Sequence, residues 1–107
     1  MVNHMIPAIE EKRDQLFELC RRHDVKQLEL FGSAAVEERF DPERSDLDFL
    51  VEFQRSDALD PADQYFGLLD DLRRLFARDV DLVTARSLRN PYFIDAVNAT
   101  RKVLYAA

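Results

Sequence analysis

Asp46-Leu47-Asp48 sets two carboxylates two residues apart. In an extended strand that spacing points both to one face, about 6.7 Å apart. At an effective dielectric constant of about 20, two unit charges at that distance repel by about 2.5 kcal/mol. The pair opens the most apolar run of the chain, Phe49-Leu50-Val51, so folding tolerates it only where water reaches the carboxylates or a cation lies between them. Asp81, enclosed by Val80 and Leu82, is a second aspartate in a strand-like run, and Asp is depleted in strands. If the two runs are neighbours in one sheet, Asp46, Asp48 and Asp81 converge into an oxygen-ligand site for Mg2+, which prefers carboxylates combined with substrate phosphates. Two such ions stabilise the attacking and leaving oxygens of an in-line displacement at phosphorus. Gly32-Ser33 ends an earlier run and supplies the complement. The glycine permits a tight turn and close backbone approach, the serine offers a hydroxyl and a helix cap, and amides at a helix start bind phosphate.

These residues need elements to position them. Val25 to Phe31 reads as a strand, with Leu28 and Leu30 alternating against Gln27 and Glu29. Asp46 to Phe53 is the clearest strand: Leu47, Phe49, Val51 and Phe53 share one face, and Asp46, Asp48, Leu50 and Glu52 the other. Asp79 to Thr84 is a short third strand, with Asp79 read as a turn residue at its mouth. Helical stripes precede, separate and follow the strands. Ile6, Ile9, Leu16, Phe17 and Cys20 share a face, and the pattern stops by Arg22-His23-Asp24. Asp60-Pro61 and Asn90-Pro91 each read as N-cap plus first helical residue. The first opens the stripe Tyr65, Leu68, Leu69, Leu72, Leu75 and Phe76, and the second Phe93, Ala96, Val97 and Thr100. Ala34 to Glu38 reads as a short helix opening at Ser33, Arg39 to Ser45 as a loop, and Lys102 to Tyr105 as either a strand or more helix. The order predicts an α/β (α+β) fold, a small mixed sheet flanked by helices, in one domain spanning 1–107.

Composition removes other classes. With 47% hydrophobic and 34% charged residues the chain is neither disordered nor of low complexity. No apolar run approaches the roughly 18 residues of a membrane span, and Met1 to Ile6 lack a basic region followed by an apolar stretch. The single cysteine, Cys20, cannot form an internal disulfide or a cysteine cage, and pairing it with His23 for catalysis fails because it lies on an apolar face. A reducing, cytoplasmic compartment follows as an expectation. The net charge of −6 disfavours direct nucleic-acid binding and suits a cation-requiring site or a basic partner. A calcium loop through Asp41, Glu43, Ser45 and Glu52 is rejected, because Asp46 falls where its sharp turn needs Gly.

Together, Leu30-Phe31-Gly32-Ser33, Ser45-Asp46-Leu47-Asp48-Phe49-Leu50-Val51-Glu52-Phe53, Val80-Asp81-Leu82-Val83-Thr84 and Arg89-Asn90-Pro91-Tyr92-Phe93 resemble the minimal nucleotidyltransferase antitoxins of the DNA polymerase β-like superfamily. The loop between Ser33 and Asp46 is longer than the family's commoner one, and Val36-Glu37 stand where many members carry Arg-Gly. The resemblance implies that Gly32 and Ser33 hold a nucleoside triphosphate, and that Asp46 and Asp48 bind two Mg2+ ions. Asp81 would share one ion and help deprotonate an acceptor hydroxyl. AMP from ATP would pass to that hydroxyl with release of pyrophosphate. The partner implied is a HEPN-domain ribonuclease toxin, adenylylated on a tyrosine. The residues after Thr84 are too few for an acceptor-binding domain, so the acceptor is expected on a partner protein, a second copy of the chain, or a small molecule. Two alternatives stay open: an antitoxin that works by occlusion, and a small-molecule nucleotidyltransferase. Of the other residues, Tyr92 and Phe93 are expected to pack, Leu68, Leu72 and Phe76 to be core, and Arg86 and Arg89 to be solvated loop charges, with contact to phosphates or an acidic partner as the alternative.

Overall fold

A computed structural model describes residues 6–36, 41 and 46–107. Four strands make one sheet: β1 (Val25–Phe31), β2 (Leu47–Phe53), β3 (Val80–Thr84) and β4 (Lys102–Ala106), in the order β3-β2-β1-β4. β1 runs antiparallel to β2 and to β4. β2 and β3 are parallel, which a tight hairpin cannot achieve, so the chain crosses over through a helix between them.

The helices are α1 (Pro7–Glu10), α2 (Arg13–Arg22), α3 (Pro61–Phe76) and α4 (Pro91–Thr100). The period-two pattern sorts the strands as the sequence predicts. Leu28, Phe49 and Val51 bury one face in a core shared with Leu16 and Cys20 of α2 and Leu68 and Leu72 of α3. Phe49 stacks on Phe76 at 6.0 Å between centroids. The opposite face carries a smaller cluster, Phe31 and Leu50 under Val97 of α4. Among the described residues no helix is long and apolar enough to cross a membrane.

The caps fall where the sequence puts them. Asp60 accepts from the amides of Ala62 and Asp63 at 2.8 and 3.1 Å, and Asn90 from those of Tyr92 and Phe93 at 2.9 and 3.4 Å. Several expectations need correction. The first helical stripe is broken: Lys12 leaves helical geometry (φ −116°, ψ 19°) and its ammonium donates to the Leu75 carbonyl at 2.5 Å. It thereby satisfies one of the carbonyls that the end of α3 leaves without an intrahelical partner. The short helix expected over Ala34 to Glu38 is a single 3-10 turn that starts earlier, Gly32–Ala35. Residues 37–40 and 42–45, which carry most of the expected loop and the position of Glu37, lie outside the described residues. The chain end is a strand, β4, because Arg101 leaves the helix and the residues after it pair with β1, Leu28 facing Tyr105. Glu29 is buried, accepting from Arg101 Nε and from Gln27 Nε2, both at 2.6 Å. Tyr92 is 87% exposed and does not pack.

Candidate active site

Strand register lines up three residues across the sheet. Phe31 at the end of β1 pairs with Asp48 on β2, and Asp48 pairs with Asp81 on β3. All three project to the α4 side. One residue further on, Gly32 turns the chain with φ +74°, a conformation that L side chains resist. A methyl group on Gly32 would also overlap the Asp48 carboxylate. Glycine is therefore required there twice over, for its dihedral and for its lack of a side chain. The Gly32 amide donates to Thr100 Oγ1 at 2.9 Å, so the last turn of α4 holds the β1 turn in place. The Ser33 hydroxyl has no hydrogen-bond partner among the described residues.

Asp48 and Asp81 sit side by side across the β2–β3 pair, and the Asp48 carboxyl is pushed up to about 6. Burial is the largest cause, followed by the Asp81 side chain beside it and then by the negative charges of Asp81 and Asp46. A negative charge close by resists the ionisation of a second carboxylate, here Asp48. Asp46 stands exposed just before β2, near enough for its charge to act on Asp48. Among the described residues, no group of three or more His, Cys, Asp or Glu side chains gathers as a metal cage. The structure thus brings Asp48 and Asp81 together beside Gly32 and leaves Asp46 at the rim. The donor set still suits Mg2+, which takes one or two carboxylates and completes its shell with water and substrate phosphates. The cost of holding the two carboxylates together is also one that a cation relieves.

The acids open into a cavity of about 360 Å3 whose other walls include Phe31, Tyr65, Arg73 and Phe93. Phe93 meets Phe31 edge-on at 5.9 Å, and the Tyr65 hydroxyl donates to the Leu82 carbonyl at 2.6 Å. Thr100, Tyr65 and Arg73 were not singled out by sequence reasoning for this site. Tyr65 and Thr100 lie on helical stripes and Arg73 within the same helix as Tyr65, and their place beside the acids depends on long-range packing that spacing does not encode. Cys20 is buried with its thiol pushed up to about 12 by that burial, which makes it an inert core residue.

A mixed sheet with an acid on each of two adjacent strands, next to a Gly-Ser turn, is the layout of a nucleotidyltransferase. Residues 14–107 match the family described as Polymerase beta, Nucleotidyltransferase, and the chain belongs to it. Two relatives from Methanocaldococcus jannaschii, each named "Putative protein adenylyltransferase", are 37% and 40% identical over 71 and 75 residues. These matches span 66% and 69% of this chain and 68% and 70% of the relatives. A solved structure named "Structure of putative minimal nucleotidyltransferase" superposes with a TM-score of 0.71 at 26% identity, covering 95% of this chain and 98% of that one. A toxin-antitoxin complex with AMP-PNP contains a chain that superposes with a TM-score of 0.64 at 25% identity, covering 89% of this chain and 73% of that one.

Proposed function

We propose that this chain is a Mg2+-dependent protein adenylyltransferase and the antitoxin of a two-protein module, moving AMP from ATP to a tyrosine hydroxyl of a HEPN-domain toxin. The observation that carries the reading is the pairing of Asp48 with Asp81 across β2 and β3 beside Gly32. The names of the archaeal relatives and the toxin-antitoxin complexes among its structural neighbours support it.

In this reading Asp48 and Asp81 hold the metal, with Asp46 contributing from the rim. When bound, Mg2+ supplies charge neutralisation for the phosphates and for the oxygens entering and leaving phosphorus. Gly32 lets the triphosphate approach the backbone closely, and Ser33 offers its hydroxyl to a phosphate oxygen. Asp81, on the outer strand, accepts the acceptor's proton as the hydroxyl oxygen bonds to the α-phosphorus. The bond from that phosphorus to the bridging oxygen breaks and pyrophosphate leaves. ATP as the donor places the activity in the cytoplasm.

The test is intact-mass analysis of the partner after incubation with the chain, Mg2+ and ATP. The expected product gains AMP, and D48N or D81N abolishes the gain while leaving the circular dichroism spectrum unchanged. If a D46N/D48N/D81N variant protects cells from the toxin as well as wild type does, transfer is not the antitoxin activity and occlusion replaces it.

A further inference from the structure

We propose that a second cleft, at the carboxyl ends of β2 and β3, seats an acidic stretch of the acceptor protein. The identity of that acceptor rests on the function proposed above; the binding does not require transfer. The cleft has a volume of about 820 Å3, and its lining includes Phe53, Arg55, Leu59, Tyr65, Arg86 and Arg89. A crevice outside the carboxyl ends of parallel strands is where open α/β sheets characteristically take ligands.

The three arginines set its chemistry. All are exposed, and none has an ion pair or hydrogen bond among the described residues. Elsewhere Arg13, Arg21, Arg22 and Arg101 each meet a carboxylate, whereas Arg73 and Arg74 on α3 meet none among the described residues. A chain with net charge −6 has acids to spare, yet the three guanidinium groups around the cleft pair with none of them among the described residues, and Glu52, which also lines the cleft, pairs with Lys26. Guanidinium forks match carboxylates in geometry, and Phe53, Leu59 and the Tyr65 ring give a peptide's carbon atoms a surface to cover. Phosphate fits less well, because the first free amides of α3, which borders the cleft, are already taken by the Asp60 side chain.

Sheet order supplies the direction. Gly32 lies on the β1 side of Asp48 and Asp81 on the β3 side, so the triphosphate enters from β1 and the acceptor from β3, the open edge of the sheet. Tyr65 lines both the acid cavity and the arginine cleft. A segment lying in the second is therefore continuous with a hydroxyl presented in the first, about 17 Å away along β2 from Asp48 to Phe53.

The test measures fluorescence anisotropy of a labelled oligoglutamate peptide with the full chain at low salt. Wild type and D48N/D81N should bind it alike, whereas R55E/R86E/R89E should bind about tenfold or more weakly. The single variants R86Q and R89Q should fall between, which keeps the result readable if the triple variant misfolds. Retained peptide binding by D48N/D81N separates this inference from the catalytic one. Equal binding by wild type and the charge-reversed variants overturns the proposal, as does tighter binding of an oligoadenylate of the same charge, which would make the cleft a nucleic-acid track.

Discussion

The carboxylate of Asp48 fills the space that a side chain on Gly32 would need. A turn on one strand and an acid on the next are thereby fitted to each other, and Gly32 cannot gain a side chain while Asp48 keeps its carboxylate there.

Gly32→Ala should destabilise the fold by about 1–3 kcal/mol, since it combines a left-handed alanine with an overlap. In an Asp48→Ala background the steric part disappears and the dihedral part remains. A double-mutant cycle by urea denaturation should therefore show a coupling well above the few tenths of a kcal/mol expected of independent sites. Additive effects would mean that the two residues do not touch.

Asp48 also makes a pH prediction, and its sign is the reverse of the usual carboxylate. Its folded value, about 6, lies above the ordinary value of 3.8, so between about pH 4 and 6 the folded state holds the extra proton. Stability from this group is present at low pH and is lost as pH rises through about 6. The side chain is only half-buried, and solvent screening reduces the effect to about 1 kcal/mol. Asp48→Asn should accordingly be more stable than wild type at pH 7 without metal, match it near pH 4, and be inactive. Thermal melts of both proteins across that range give the difference directly. Added Mg2+ should stabilise wild type and leave the variant unchanged.

Much of this arrangement is legible from the residues. The alternation around Asp48 gives β2 its buried face, and the caps at Asp60 and Asn90 fix two helix starts because Asp-Pro and Asn-Pro leave little choice. The pairing of Asp48 with Asp81 follows once the strands are neighbours. Long-range side-chain contacts are not legible. Nothing local in Thr100 says that it receives the Gly32 amide, and nothing in Glu29 says that it is buried until Arg101 is found beside it. His23 closes a helix in the sequence, yet its Nε2 lies 2.7 Å from Asp71 Oδ2 and its ring fits against Gly67, where a Cβ would come within 2.8 Å of Cε1. Lys12 breaks a helical stripe for a carbonyl 63 residues away, a contact that no periodicity contains.

Thr100→Val keeps the shape of the side chain and removes the oxygen that receives the Gly32 amide. The expected cost is about 1 kcal/mol of stability, that of an ordinary hydrogen bond. The larger effect should be on the turn: calorimetric titration with Mg2+-ATP should show weaker binding for Thr100→Val and recovery for Thr100→Ser. Equal nucleotide affinity in all three would show that α4 does not position the turn.

Glu29 and Arg101 should respond asymmetrically. The Glu29 side chain is 6% exposed and that of Arg101 40% exposed, so the acid has no water to fall back on and the base does. Arg101→Ala strands a buried carboxylate whose remaining bond is to Gln27, and should cost about 2–3 kcal/mol, the lower end for a broken buried pair because the arginine is partly solvated. Glu29→Gln frees an arginine that water can take up and keeps a polar group toward Gln27, so about 1 kcal/mol is expected. The double variant Glu29→Gln/Arg101→Ala should be more stable than Arg101→Ala alone, because neutralising the acid removes the charge left behind. Guanidinium denaturation curves of the three variants decide it. A double variant less stable than Arg101→Ala would mean that the carboxylate stabilises β1 through contacts other than this arginine.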